Sequence, residues 1–467
     1  MPPLVFRCSF VALGLAWCAG SALAAGVNDP FDTEGALPLK SASALAGRVG
    51  DAPCANELPT TVLGVVDAVD LALCNNPQTR EAWANARFQA AQLGSAQAGW
   101  LPSLDGKLVA GRGWTDSVDY RLRTTSLTLS WLLFDFGTRA ANIESARQLL
   151  SAASASRSAT IQSVFLATLQ AYYTAQANGA AVASYLEAEK AAHESYLAAD
   201  TRYKVGVGTP ADRLQAQTAW SQATLNRIKA EGDQRNALGI LANAMGFSAQ
   251  VPLHLAPLPA IAPEAGFAKD IDGLIEAARQ RRPDLVAAEA QVKAAQAGID
   301  AARGAGLPTV SLSAVPTWRD AGGVHSNSGT VGLSLSVPLF SGFDNTYKIR
   351  AAQAQAEASA AQRDRLAQQV ALDVWKAYQS LITATQSVKT ANDLVASADE
   401  SLKVALGRYK AGVGTILDLL NAQSALATAR QQRIQTSLDW NIYRATLAQA
   451  MGALDYGLLQ AESQGKP

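Results

Sequence analysis

Residues able to do chemistry are sparse in this 467-residue chain. The three histidines, His193, His254 and His325, stand far apart and lack metal-ligand spacing. Gly206-Val207-Gly208 has the look of a phosphate-cradling loop. No Gly-Lys-[Ser/Thr] follows it and no strand precedes it, which argues against both the triphosphate loop and the dinucleotide turn. A Gly-x-Ser-x-Gly elbow and a paired-carboxylate constellation are also missing. Neither catalysis nor a cofactor or metal is expected. Covalent chemistry is confined to Cys54 and Cys74, the cysteines left once an export signal is removed. Export leads to an oxidising compartment, where one pair allows one connectivity. A bond closing this loop of about twenty residues stabilises by roughly 3 kcal/mol, and two free buried thiols are the alternative.

The signal itself occupies residues 1–24. Arg7 precedes an apolar core from Phe10 to Trp17, and Ala22-Leu23-Ala24 fits the small-residue pattern before cleavage at Ala25. Trp17 is too bulky to sit before Cys18 in a lipoprotein cleavage box. Net charge is zero and the isoelectric point near 6.8, so no basic field attracts nucleic acid. Mean hydropathy is +0.04, and no interior stretch reaches the length of a transmembrane helix. Strands that cross a membrane leave a weaker trace, so they stay open.

The elements that hold these residues are duplicated. RYKVGVGT at Arg202 to Thr209 recurs as RYKAGVGT at Arg408 to Thr415, 206 positions further on. The same offset relates Pro77 to Pro283, Pro102 to Pro308, Phe134 to Phe340, Tyr172 to Tyr378 and Asp212 to Asp418. A gapless repeat of this length implies two copies of one structural unit. Long helices flank each copy of the octapeptide: about 65 residues from Thr138 to Tyr203 span roughly 100 Å at 1.5 Å per residue. Gly206 and Gly208 are residues that can take positive φ, Thr209 suits an N-cap and Pro210 a first helical turn. Each copy is therefore a helical-hairpin tip, with Asp212 and Asp418 as early-turn carboxylates favoured by the helix dipole.

Between a shorter helix ending at each Leu-Pro and the long helix, the period changes from 3.6 to 2. Leu127, Leu129, Trp131 and Leu133 alternate with Thr128, Ser130 and Leu132, and Leu333, Leu335, Val337 and Leu339 with Ser334, Ser336 and Pro338. Partner strands are expected at Leu104 to Gly113 and Thr309 to Trp318, joined by loops at about 114–121 and 319–328. Strands of this length with Ser and Thr on one face suit an oblique crossing around a wet lumen. Four strands cannot close a barrel in lipid, so several chains must share one.

An exported chain of two halves, each reading helix, Leu-Pro, strand hairpin, long helix, Arg-Tyr-x-x-Gly-x-x-x-x-x-Asp-x-Leu-x-Ala-Gln, helix, resembles the TolC family of outer membrane factors over about residues 60–455. The cysteine pair and unlipidated signal look similar to its CyaE-type branch in type I secretion systems. The resemblance implies a fold that is mainly α with membrane β: a duplicated protomer of a homotrimer, whose twelve-stranded barrel in the outer membrane of a Gram-negative bacterium continues into a long α-helical periplasmic barrel. The halves then fall at 61–246 and 273–452, with hairpins at about 104–134 and 309–340 and tips at about 202–212 and 408–418. A flexible leader (25–60), an equatorial linker (247–272) and a tail (453–467) complete the chain.

The resemblance further implies an exit duct for secreted protein or small toxic compounds. It would dock on a periplasmic adaptor, itself coupled to an inner-membrane ABC or proton-driven pump, through tips formed by Val205, Gly206, Val207, Gly208 and Thr209 and by Ala411, Gly412, Val413, Gly414 and Thr415. Its periplasmic gate maps onto Tyr409, bonded to Asp212 of the first hairpin, and onto Asp418 as a ring carboxylate. Two positions depart from the best-known member: Gly414 replaces a locking arginine, and Asn421 a second ring aspartate. A coiled-coil adaptor or adhesin that only spans the periplasm is the alternative.

Overall fold

The computed structural model describes residues 29–37, 62–116, 118–256 and 270–455. The signal, Cys54, the rest of the leader, residues 257–269 of the linker and the tail beyond 455 lie outside the described residues. The element order bears out the duplication. Helices α1 (Val65–Asn75) and α2 (Pro77–Ala98) lead to strands β1 (Ser103–Thr115) and β2 (Val118–Phe134), then to α3 (Thr138–Lys204) and α4 (Pro210–Ala244). The second half repeats this as α5 (Ile271–Arg281), α6 (Pro283–Gly304), β3 (Thr309–Ala321), β4 (Val324–Ser336), α7 (Asp344–Lys410) and α8 (Ile416–Ala450). Every start is displaced by the same interval, and α3 and α7 are each 67 residues long.

The chain forms two compact units. One holds a four-stranded antiparallel sheet in the order β1-β2-β3-β4, with the adjoining ends of α2, α3, α6 and α7. The turns are tighter than the expected loops at 114–121 and 319–328, most of which are strand. Gly322 (φ +61°) and Gly323 (φ +84°) explain the second: two left-handed residues make the two-residue hairpin turn whose twist matches that of the strands. The fourth strand stops at Ser336, short of the expected 340. Among the described residues both sheet edges are open, because β1 pairs only with β2 and β4 only with β3.

Where β2 passes into α3, Arg139 and Asp135 form a buried ion pair of 3.0 Å, with side chains 9% and 6% exposed. The guanidinium also donates to the carbonyls of Gly99, Leu132 and Leu133 and lies 4.2 Å over the Trp100 ring. Strand, turn and helix are thus held by one side chain. Residues 29–37, expected to be a flexible leader, are instead packed on α2. Thr33 and Leu37 are buried, Arg87 pairs with Glu34 at 3.0 Å, and a Cβ at Gly94 would lie 3.6 Å from Thr33.

The other unit is helical. Its largest core joins α1, the middle of α3 and the ends of α4 and α8 around Val69, Phe165, Leu169, Tyr172 and Leu241. Tyr172 donates to the Leu63 carbonyl at 3.1 Å, where Leu63 forms a parallel bridge with Leu255. A second core gathers α5, α7 and α8 around Val370, Val374, Tyr378 and Leu447. Arg282 anchors it, bonding Asp284 at 2.6 Å and Asp373 at 2.9 Å. Small alanines recur along both cores and let the long helices approach closely. No helix among the described residues is long and apolar enough to cross a membrane. Cys74 of α1 is disulfide-bonded. Mapping of non-reduced peptides should recover Cys54 linked to Cys74, and both thiols free would overturn that pairing.

Candidate functional site at the helical tips

Each tip is built by two local devices. After α3, the carbonyl of Arg202 accepts from Val207 and Gly208, both at 3.0 Å, while Gly206 takes φ +79°. After α7, the carbonyl of Arg408 does the same for Val413 and Gly414 at 3.0 and 3.1 Å, with Gly412 at φ +78°. This is the left-handed C-terminal cap that glycine adopts without strain. The next helix starts with a reciprocal box. The Thr209 hydroxyl accepts from the Asp212 N–H at 3.1 Å and the Asp212 carboxylate accepts from the Thr209 N–H at 3.2 Å, distances repeated by Thr415 and Asp418. The box satisfies two donors at the start of each of α4 and α8.

The box also sets the charge. Hydrogen bonds from Thr415, first its side chain and then its backbone, hold the Asp418 carboxyl below its usual range, helped by the positive Arg408. Asp418 is therefore ionised at neutral pH. It lies three residues before Asn421 on the exposed side of α8, while Ile416, Leu419 and Ala422 face inward. Val205, Val207 and Val413 stand 67, 75 and 70% exposed, apolar knobs at the extremity of each hairpin.

Tyr409 is 6% exposed in a small core with Ala199, Ala216, Ile416 and Leu419, drawn from all four tip helices. Among the described residues no hydrogen bond joins its hydroxyl to Asp212 in this chain; the carboxylate is engaged by its own N-cap. Arg202 makes the contact between hairpins instead. Its guanidinium lies 4.3 Å over the Tyr409 ring and donates to the Tyr409 carbonyl at 2.9 Å. Sequence reasoning named Arg202 only as part of the repeat. Its twin Arg408 is exposed and has no such partner among the described residues, so the repeat carried no signal of the contact. Farther from the tip, Gln423 donates to the Ser195 hydroxyl at 2.9 Å, a second tie between the hairpins, this one from α8 to α3.

Gly414 has a steric reason. A Cβ there would lie 3.0 Å from the Arg408 Cβ and 3.1 Å from the Tyr409 nitrogen, closer than ordinary contacts allow. Among the described residues no His, Cys, Asp or Glu cluster has the geometry of a metal site. Capped, duplicated tips tied across hairpins, together with a sheet open at both edges, describe a component built to join other chains.

The chain belongs to the outer membrane efflux protein family, which it matches over residues 68–247 and 274–453, one match for each half. It is an outer-membrane export channel with its helical part in the periplasm, which decides against the adaptor or adhesin alternative. It is 32% identical to Protein CyaE of Bordetella pertussis over 463 residues, covering 95% of both chains. It is 25% identical to the alkaline protease secretion protein AprF of Pseudomonas aeruginosa, covering 84% of this chain and 85% of the relative. In fold it is similar to the MtrE outer membrane channel of Neisseria gonorrhoeae, with a TM-score of 0.72, 22% identity and coverage of 90% of this chain and 98% of that one.

Proposed function

We propose that this protein is the exit duct of a type I secretion system and works as a homotrimer. The open-edged sheet carries the proposal. Four strands with unpaired N–H and C=O groups on both sides cannot stand in lipid, whereas three copies would close edge to edge into a twelve-stranded barrel. The pattern agrees, since Leu104, Leu129, Trp131, Leu312 and Leu333 share one face by register and Ser130, Ser313 and Ser334 the other. Likeness to CyaE along nearly the whole chain, and to a protease secretion protein, favours protein cargo over small compounds. An inner-membrane pump and a periplasmic adaptor complete the path, with the adaptor seated on Val205, Val207 and Val413. The purified protein should run as a heat-modifiable trimer and conduct in planar bilayers. A monomer that never conducts would overturn this reading.

The gate proposal follows from the contact between hairpins. Arg202, rather than the Tyr409 hydroxyl, ties the second tip to the first, through a charged hydrogen bond of about 1.5 to 3 kcal/mol in each chain. Three such links lost together shift a closed-to-open balance by several kcal/mol, enough to change the populated state. Arg202→Ala should therefore raise single-channel conductance several-fold. Tyr409→Phe, which keeps ring and carbonyl, should change it little, and the reverse order would restore the hydroxyl as the lock. Asp418, as a threefold ring, would confer cation preference that Asp418→Ala weakens. Unchanged selectivity would leave Asp418 only its capping role.

A further inference from the structure

The apolar face of the sheet does not stay apolar to its outer end. From the helix-linked ends of the strands it runs through Leu104, Leu129 and Leu108, and then the register sets Arg112 directly opposite Arg121 and Ala110 opposite Arg123. Residues paired across strands, and alternate residues along one, share a face. Three guanidinium groups therefore stand together on two strands just beyond the apolar band. All three are exposed, and among the described residues none has an ion pair or side-chain hydrogen bond. Two tryptophans bracket them in height: Trp318, opposite Thr125, lies one same-face step below Arg123, and Trp114 one step beyond Arg112.

Like charges placed directly opposite in an antiparallel pair are destabilising unless an anion sits between them. The carboxylates nearby do not serve. Asp119, on the same face two residues from Arg121, faces Trp114 in the register and makes no ion pair among the described residues, and Asp320, opposite Arg123, accepts from the Gly323 N–H at 3.2 Å and lies 3.9 Å from His325. Tryptophan marks the level where a bilayer passes from hydrocarbon to headgroups. Arginine is the side chain whose fork matches a phosphate oxygen pair.

We propose that Arg112, Arg121 and Arg123 form a binding site for the phosphate groups of an anionic glycolipid in the outer leaflet of the outer membrane. The inference rests on the barrel reading, which turns this face to lipid and the hairpin turns outward. Arg112 and Arg121 share one phosphate between opposed guanidinium groups, and Arg123 takes a second contact nearer the hydrocarbon.

The test uses the full-length oligomer purified after exposure to bis-phosphorylated lipid A, to lipid A stripped of phosphate, or to inorganic phosphate. Retained lipid is read by native mass spectrometry and conductance is read in parallel. The wild type should retain phosphorylated lipid A and neither of the other two. The triple variant R112Q/R121Q/R123Q should retain at least tenfold less while still conducting. Lys107→Gln, on the opposite face of β1, should retain as much as wild type. Equal retention by the triple variant, or loss of its oligomer in place of its lipid, would overturn the site and leave the barrel standing. A wild type that forms no conducting oligomer would remove the barrel, and this inference with it.

Discussion

Replacing Gly206 or Gly412 with valine is expected to cut export at least tenfold while leaving conducting oligomers in the membrane. Both glycines hold φ near +80°, where a β-branched side chain is strained by a few kcal/mol. Space is not the obstacle, since a Cβ at either position meets nothing within 4 Å. The strain must be relieved by unwinding the cap. That would move the exposed valines of the tip and leave the strands that the proposed trimer would pair unchanged. Gly→Ala, with the smallest side chain, should lose less than Gly→Val. Secretion of a reporter, measured alongside outer-membrane abundance, separates docking from assembly. Full export by both valine variants would reduce the tips to ordinary turns.

Arg139→Ala is expected to have the largest effect on stability, about 3 to 5 kcal/mol, because it leaves the Asp135 charge buried and unpaired. Three carbonyls and the Trp100 face lose their donor at the same time. Arg139→Lys should rescue only in part, since an ammonium cannot bond Asp135 and the Leu132 and Leu133 carbonyls in one plane. Denaturant titration and the temperature at which the oligomer dissociates report the loss. Wild-type values for Arg139→Ala would show that the pair contributes nothing to assembly. The second half has no equivalent, for Asn345 and Ser341 occupy the positions of Arg139 and Asp135. There, the Asn345 side chain packs against Gly306.

Local rules carried much of this protein. The constant offset between halves placed the second copy of each element, and the tip helices were legible because a left-handed glycine after one helix and a threonine cap before the next are specified by a few adjacent residues. The tip was legible for the same reason: Gly206, Thr209 and Asp212 contact only their own turn. The strands were visible from alternation, though their turns were misjudged as loops, since polar residues near a hairpin tip look alike whether or not they are paired. What stayed hidden depends on residues far apart in the chain. Nothing in RYKVGVGT says that Arg202 crosses to Tyr409 while its twin Arg408 does not, for that depends on which helix lies beside it. Likewise Arg112, Arg121 and Arg123 read singly as scattered charges, and only the pairing register of β1 and β2 brings them onto one face. Local sequence determined where the long helices turn at the tips, because caps and turns are satisfied within a few residues. Tertiary structure decided which side chains meet, because that is set by helix packing and strand register across hundreds of positions.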